Sequence, residues 1–487
     1  MPVTGEAQTR RAVPIFGIGQ QARSPFISSV KRVNAVMEES TNGRQAVAIL
    51  GLPGLRKVET FSTVPARAIF CRDGSREFFI ASGGELLRVI EGSSEQVMTL
   101  ATSSGPVWID ENGVQLFVND GVIAQIYTFA TGVVETISDV DFPFGARGGV
   151  YLAGRFWVYT ISGDKAGRVY ASNVKDGLEW DGLNYIEPAS KPDAIVTVTR
   201  HADDLMIIGR GSIEWWGAAP VTIPGALGFQ PSASANTEVG GVSEYGHAKV
   251  GQDLFFIGES SGDLGIYRAN GYEVLPIASP QIEEDTKKLS LGSAVCTGYT
   301  ALGHGLFQVT IQGTDTTQAH TWVYDASAGE WSDRESHGKP YYRGLFAIGA
   351  AGRVYISDAF TGVLYHMDES LYTEDGMVLP FRVTSQHLLK EGDHITIHSI
   401  QVDMETGLGT AVPPGDDPHG IMRVSKDGGY TWPIERHISL GKQGHYTRRA
   451  KSDQFGIARD FAIEFSISDP IPRRVTGAYL TIDPCIA

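Results

Sequence analysis

Cysteine is scarce. Cys71, Cys296 and Cys485 are the only three in 487 residues, odd in number and far apart, and such a set builds no disulfide framework. Long apolar runs are also missing, and none approaches the ~20 residues of a transmembrane helix. The first fifteen residues are polar, carry Arg10 and Arg11, and lead into no apolar stretch, so no secretory signal is expected there. No Asn-x-Ser/Thr sequon occurs. Together these absences predict a soluble chain made in a reducing cytoplasm. Positive charge is short as well: 40 Lys+Arg stand against 56 Asp+Glu, for a net charge of −16. Sequence-independent nucleic-acid binding rests on phosphate neutralisation, so that sign excludes it. Helical periodicity is almost absent. The one candidate is Pro280–Leu289, with Ser279 as cap, Pro280 at the first position, Glu283 and Glu284 in the first turn, and Lys287 and Lys288 in the last.

Glycine is abundant. The chain has 58, against an ordinary share of ~7%, and they punctuate short apolar runs, which predicts many turns and many short strands. A hairpin recurs at Glu77–Ile90, Val114–Phe129, Arg155–Tyr170, Asp204–Trp216, Asp253–Tyr267, Gly305–Tyr324 and Arg353–His366, with starts 37 to 52 residues apart and 46 on average. That spacing matches the ~40–50 residues of a four-stranded propeller blade. The strands are apolar without alternation, as in Leu205-Met206-Ile207-Ile208 and Leu254-Phe255-Phe256-Ile257. Blades stacked on both faces require such strands. Tyr127, Tyr170, Trp215, Tyr267, Tyr324 and Tyr365 in the second strands are expected between blades. After about residue 375 the strands lengthen and alternate, around a loop of Gly, Pro and Asp at Thr406–Pro418. The expected fold is all-β: an N-terminal arm with first strands (1–60), a β-propeller of six or seven blades (61–374) and a β-sandwich-like domain (375–487).

Several motifs imitate chemistry. Gly258-Glu259-Ser260-Ser261-Gly262 fits a nucleophile elbow, but a strand follows where a helix is needed, so a hairpin turn is expected. Gly17-Ile18-Gly19 fits a loose dinucleotide fingerprint, yet Pro25 interrupts the helix that would hold a pyrophosphate. His394 and His398 share a strand face without a third ligand. These residues predict no catalytic group, cofactor or metal. Ser425-Lys426-Asp427-Gly428-Gly429-Tyr430-Thr431-Trp432 matches the Asp-box in full. Ser425, Asp427, Gly429, Thr431 and Trp432 are expected to build a hairpin turn, with the carboxylate accepting turn N–H groups and glycine taking positive φ. Sialidases carry several such boxes. A propeller-type glycan-binding protein or glycosidase is therefore the alternative reading, and it requires paired carboxylates on one face. Asp203 with Asp204, and Glu283 with Glu284 and Asp285, are the dense acidic groups within the blades.

The ordered set Lys191-Pro192-Asp193-Ala194-Ile195, Leu205–Gly209, Ser212–Gly217, Phe255–Gly258 and Pro276–Glu283 resembles the packaged-DNA stabilisation protein of Salmonella-type short-tailed phages, the tail hub or nozzle subunit. Trp322-Val323-Tyr324-Asp325, Tyr342-Arg343-Gly344 and the early Pro53-Gly54-Leu55 extend the resemblance, in order, over most of residues 30–370. It implies a non-enzymatic virion protein, assembled in the bacterial cytoplasm. It further implies a homo-oligomeric, hexameric ring below the portal and its adaptor, carrying a tail needle, tip or fibre. Double-stranded DNA would pass through the lumen without specific binding, and no stable membrane insertion is implied. The two chain ends are expected on one side of the propeller, where Arg10, Arg11, Arg23, Lys31 and Arg32 would offer positive charge for docking.

Overall fold

The computed structural model describes residues 9–13, 16, 19–39, 47–72, 74–220, 227–312, 319–389 and 393–484; Gly17 and Cys485 lie outside them. Residues 66–99, 108–136, 147–186, 195–237, 240–276 and 295–333 each form a meander of antiparallel strands. In a seventh sheet, Gly344–Ala350, Arg353–Asp358 and Gly362–Asp368 are completed by Gly54–Ser62 from the start of the chain. Neighbouring blades touch around a ring that closes between Gly344–Ala350 and Ala66–Cys71. Among the described residues this is a propeller of seven blades, and the recurring hairpins supply the two middle strands of each.

The unbroken apolar strands follow from this geometry. Successive side chains of a strand point to opposite faces, and in a propeller both faces meet a neighbouring blade. In the second strand of blade four, Leu205 and Ile207 pack towards blade three, while Met206 and Ile208 pack towards blade five. Phe117 of blade two turns to blade three and stacks on Phe156 with ring centroids 5.1 Å apart; Leu116 and Val118 turn back to blade one. Tyr127, Tyr170, Trp215, Tyr267, Tyr324 and Tyr365 all lie in these interblade cores.

The C-terminal unit is a sandwich of two sheets. One runs Ala35–Glu39, Val47–Gly51, Arg474–Pro484, Ile395–Met404, Ala450–Ala458, with Thr9–Val13 also paired to Arg474–Pro484. The other runs Phe381–Thr384, Asp460–Ile467, His419–Ser425, Ile434–Ser439 and joins blade six through Arg32–Val33, which pairs with Glu330–Asp333. The first sixty residues are therefore shared out. Gly54–Ser62 closes the propeller, and Phe16, Ala35 and Ile49 are buried in the sandwich core beside Ile397, Phe461 and Leu480. The helix is shorter than the sequence suggests, spanning Pro280–Thr286. The Lys288 and Leu289 N–H groups bond to Asp285 and Thr286 three residues back, which tightens the chain out of the α-helix. Lys287 and Lys288 thus lie beyond its last turn.

Candidate functional site

The Asp-box closes the hairpin between His419–Ser425 and Ile434–Ser439. The Asp427 carboxylate accepts the Thr431 hydroxyl at 2.6 Å, the Thr431 N–H at 2.9 Å and the Ser425 hydroxyl at 2.7 Å; Ser425 Oγ accepts the Gly429 N–H at 2.9 Å. Bonding to Thr431 and Ser425 holds the carboxyl down at about 2. Both carboxylate oxygens are engaged within the turn, and Trp432 beside it is half-buried. Gly428 is required for contact as well as conformation: its φ is +74°, and a Cβ there would lie 2.9 Å from the Phe26 ring. The turn is a seat for the arm.

Residues 23–32 run from that seat to the propeller. The Ser24 and Tyr430 hydroxyls lie 3.4 Å apart, and Ser29 Oγ donates to the Ser385 carbonyl at 3.0 Å. His387 bridges the Pro25 carbonyl at 2.7 Å and the Asp460 carboxylate at 2.8 Å. Three of the five basic residues expected to meet a partner are paired inside the chain instead. Arg23 meets Glu283 of the helix at 3.1 Å, Lys31 meets Asp333 at 2.8 Å, and Arg32 meets Glu330 at 2.7 Å. Arg32 is buried, and the Asp333 carboxylate raises the Lys31 pKa. Their acids lie some 250 to 300 residues away in sequence, which is why the charges read as free. Arg10 and Arg11 form part of the strand paired with Arg474–Pro484; their side chains lie outside the described set.

The propeller axis is obstructed. Tyr245 of blade five reaches across to Val107 at the entrance to blade two, where its hydroxyl donates to the carbonyl at 2.7 Å and accepts the N–H at 2.6 Å. Its ring packs edge-on against Phe346 of blade seven, 5.4 Å between centroids. Beside it Arg147 of blade three is ion-paired with Glu244. Cavities of about 700 and 240 Å³ share Glu244 and Tyr245 in their walls. A duplex whose major groove alone is ~12 Å wide cannot pass such an axis. Sequence reasoning missed Tyr245. The available signal was a strand pattern broken by Gly240, Gly241 and Gly246 in blade five.

A buried polar cluster lies where the propeller meets the sandwich. Arg334 has no exposed surface; it donates to the Tyr299 hydroxyl at 2.9 Å and stacks over the Tyr342 ring at 3.6 Å. Arg343 pairs with Asp358 at 2.6 Å, and Arg473 donates to the Tyr372 carbonyl at 3.0 Å. Glu374 shares this space, and burial pushes its carboxyl up to about 7 against the pull of Ser336, Arg334 and Arg343. The folded chain thus holds that proton more tightly than the unfolded chain, whose value is near 4.5. The stabilisation is complete below about 4.5 and is lost as pH rises through about 7. Wild-type melting temperature should therefore fall as pH rises from about 4.5 to about 7, and Glu374→Gln should flatten that fall. Superimposable pH profiles for the two proteins would refute the assignment.

The other motifs fall into the framework. Gly258–Ser260 end a strand of blade five and Ser261–Gly262 make its hairpin turn, with Ser260 opposite Asp263. Gly19 lies in the arm. His398 bonds to Asp483 at 2.6 Å beside a bulge in its strand, and His394 is half-buried. Asp204 accepts the Tyr272 hydroxyl at 2.6 Å. No helix among the described residues is long and apolar enough to cross a membrane.

A family model described as bacteriophage P22 Gp10, beta-propeller, matches residues 11–372, and one described as bacteriophage P22 Gp10, beta-sandwich, matches residues 380–483. No curated protein matches the chain. Among solved structures, it is similar to the extracellular domain of the hybrid two component system BT4673 from B. thetaiotaomicron, at 9% identity and a TM-score of 0.44, over 73% of this chain and 45% of that one. It thus spans less than half the length of that protein. It is also similar to the N-terminal domain of Nup159, at 10% identity and a TM-score of 0.39, over 69% of this chain and 98% of that one.

Proposed function

The chain belongs to the bacteriophage P22 Gp10 family of phage DNA-stabilisation proteins, and from that premise we propose that it is a non-enzymatic nozzle subunit, built as a hexameric ring below the portal and its adaptor. The observation that carries the reading is the pair of family matches, propeller then sandwich, which together take in nearly the whole chain. Membership makes it a virion structural protein of the tail; ring order, assembly in the host cytoplasm and the tip carried below are the proposal. The closed propeller axis supports a definite DNA path. With Tyr245 bonded across it to Val107, no duplex threads a single subunit, so the lumen lies between subunits. A wall with net charge −16 per chain lets DNA slide without adhering.

In this reading the adaptor meets the Asp-box end of the sandwich, where the arm exposes Phe26 and Ile27 beside Tyr430. Because Arg23, Lys31 and Arg32 are already paired within the chain, contact there is chiefly apolar. The test is reconstitution. The full-length chain, added to portal–adaptor complexes of the same phage, should form a ring visible by electron microscopy, and particles lacking the chain should lose packaged DNA. A chain that stays monomeric on those complexes, together with particles that retain DNA without it, would overturn the reading.

A further inference from the structure

We propose that the outer side of blades two and three receives the sandwich of a neighbouring copy of this chain: an acid-rimmed apolar patch of Val140, Phe144 and Leu183 takes the basic loops around Tyr446, Arg448 and Arg449. This rests on the ring reading above and names its contact.

Among the described residues, Phe144, Val140 and Leu183 are the most exposed large apolar side chains, at 95, 94 and 82%. They are held out by structure. Two consecutive turns, closed by Phe142 N–H to Asp139 O at 3.1 Å and Ala146 N–H to Pro143 O at 3.2 Å, set Val140 and Phe144 at their corners. The Asp139 carboxylate accepts the Trp180 N–H at 2.9 Å, and Phe142 packs edge-on against Trp180 at 5.0 Å. A Cβ on Gly182 would lie 2.9 Å from the Asp141 carboxylate, so Leu183 stands beside the same loop. A rigidly presented apolar patch marks an interaction site. Residues 135–146 and 176–187, which form it, contain seven Asp and Glu and no Lys or Arg.

The complementary surface is on the sandwich, at the end away from the Asp-box. Residues 436–451 contain five Lys and Arg and no acid. Arg448 and Arg449 are exposed without an acidic partner among the described residues. Tyr446 is 68% exposed at the tip. The loop is braced, since Thr406 Oγ donates to the Arg448 carbonyl at 2.9 Å.

The sandwich continues the sheet of blade six, three blades from the acidic patch either way round, and abuts blade seven. The two surfaces of one chain therefore lie on opposite sides and can meet only between copies. Unlike surfaces joined head to tail are what a closed ring requires. Opposite charge steers that encounter and disfavours like-to-like pairing.

The experiment uses the full-length chain, alone and on the portal–adaptor complex, with mass photometry as the readout. Val140→Asp/Phe144→Asp/Leu183→Asp and Arg448→Glu/Arg449→Glu/Tyr446→Ser should each abolish the ring species while keeping the wild-type melting curve. Mixed together, the two variants retain one intact surface each and should stop at dimers. If wild type forms rings and both variants still do, this contact is overturned and the ring reading stands. If wild type forms no ring in either setting, both fall. Rings from the mixture would equally overturn the head-to-tail contact.

Discussion

Gly54→Ala should destabilise the propeller by about 3 kcal/mol or more, far beyond what a glycine-to-alanine change costs on a surface. Gly54 begins the strand that closes the seventh blade. Its N–H bonds to the Leu371 carbonyl at 2.8 Å, and it stands opposite Asp368. A Cβ there would lie 2.2 Å from the Thr373 carbonyl oxygen and 2.9 Å from that of Leu371. Both obstacles are backbone, so relief requires moving the strand. Gly54–Ser62 buries Leu55 between blades six and seven and Phe61 between seven and one, so two interblade cores loosen with it. Urea denaturation should show a lower midpoint, and limited proteolysis should cut within residues 54–62. A variant with the wild-type midpoint would mean that ring closure does not depend on this strand's fit.

Arg334→Ala should cost about 3–5 kcal/mol at pH 7. The guanidinium is fully buried between Tyr299 and Tyr342 and faces Glu374. Truncation leaves a cavity and removes the cation that offsets a carboxyl poised near neutrality. Replacing both members, as Arg334→Met with Glu374→Leu, should recover much of the loss, because a buried polar pair exchanged for apolar groups of similar volume is close to neutral. The comparison is made by calorimetry of the two single variants and the double variant. A double variant as unstable as the sum of the two singles would show that the residues do not interact. Since the cluster lies where propeller and sandwich meet, loss of Arg334 should also separate one melting transition into two.

Much of the propeller was legible because its signal is local. Each hairpin carries its own strands and turn, and Leu205-Met206-Ile207-Ile208 is apolar at every position for a reason internal to a blade: both of its faces are covered. The Asp-box was legible in the same way, since Ser425, Asp427, Gly429 and Thr431 bond mainly to one another. What contacts that turn was not. Phe26 reaches Gly428 from some 400 residues upstream, and nothing in either segment announces the other.

The same limit explains the first sixty residues. Their sequence predicts an arm with first strands and does not say where those strands pair. Thr9–Val13, Arg32–Val33, Ala35–Glu39 and Val47–Gly51 pair into sandwich sheets, and Gly54–Ser62 pairs into the last blade. Short strands completed by distant partners carry half a pattern each. Arg23, Lys31 and Arg32 were read as free charge because Glu283, Glu330 and Asp333 are brought to them only by folding. Tyr245 looked like any aromatic until the ring placed Val107 across the axis from it. Composition, period and turn chemistry thus established an acidic, all-β chain of repeated hairpins with a different unit at its end, because those properties act between residues close in sequence. Ring closure, the seating of the arm and the blocked axis came from contacts between residues far apart in sequence, which depend on the closed ring itself.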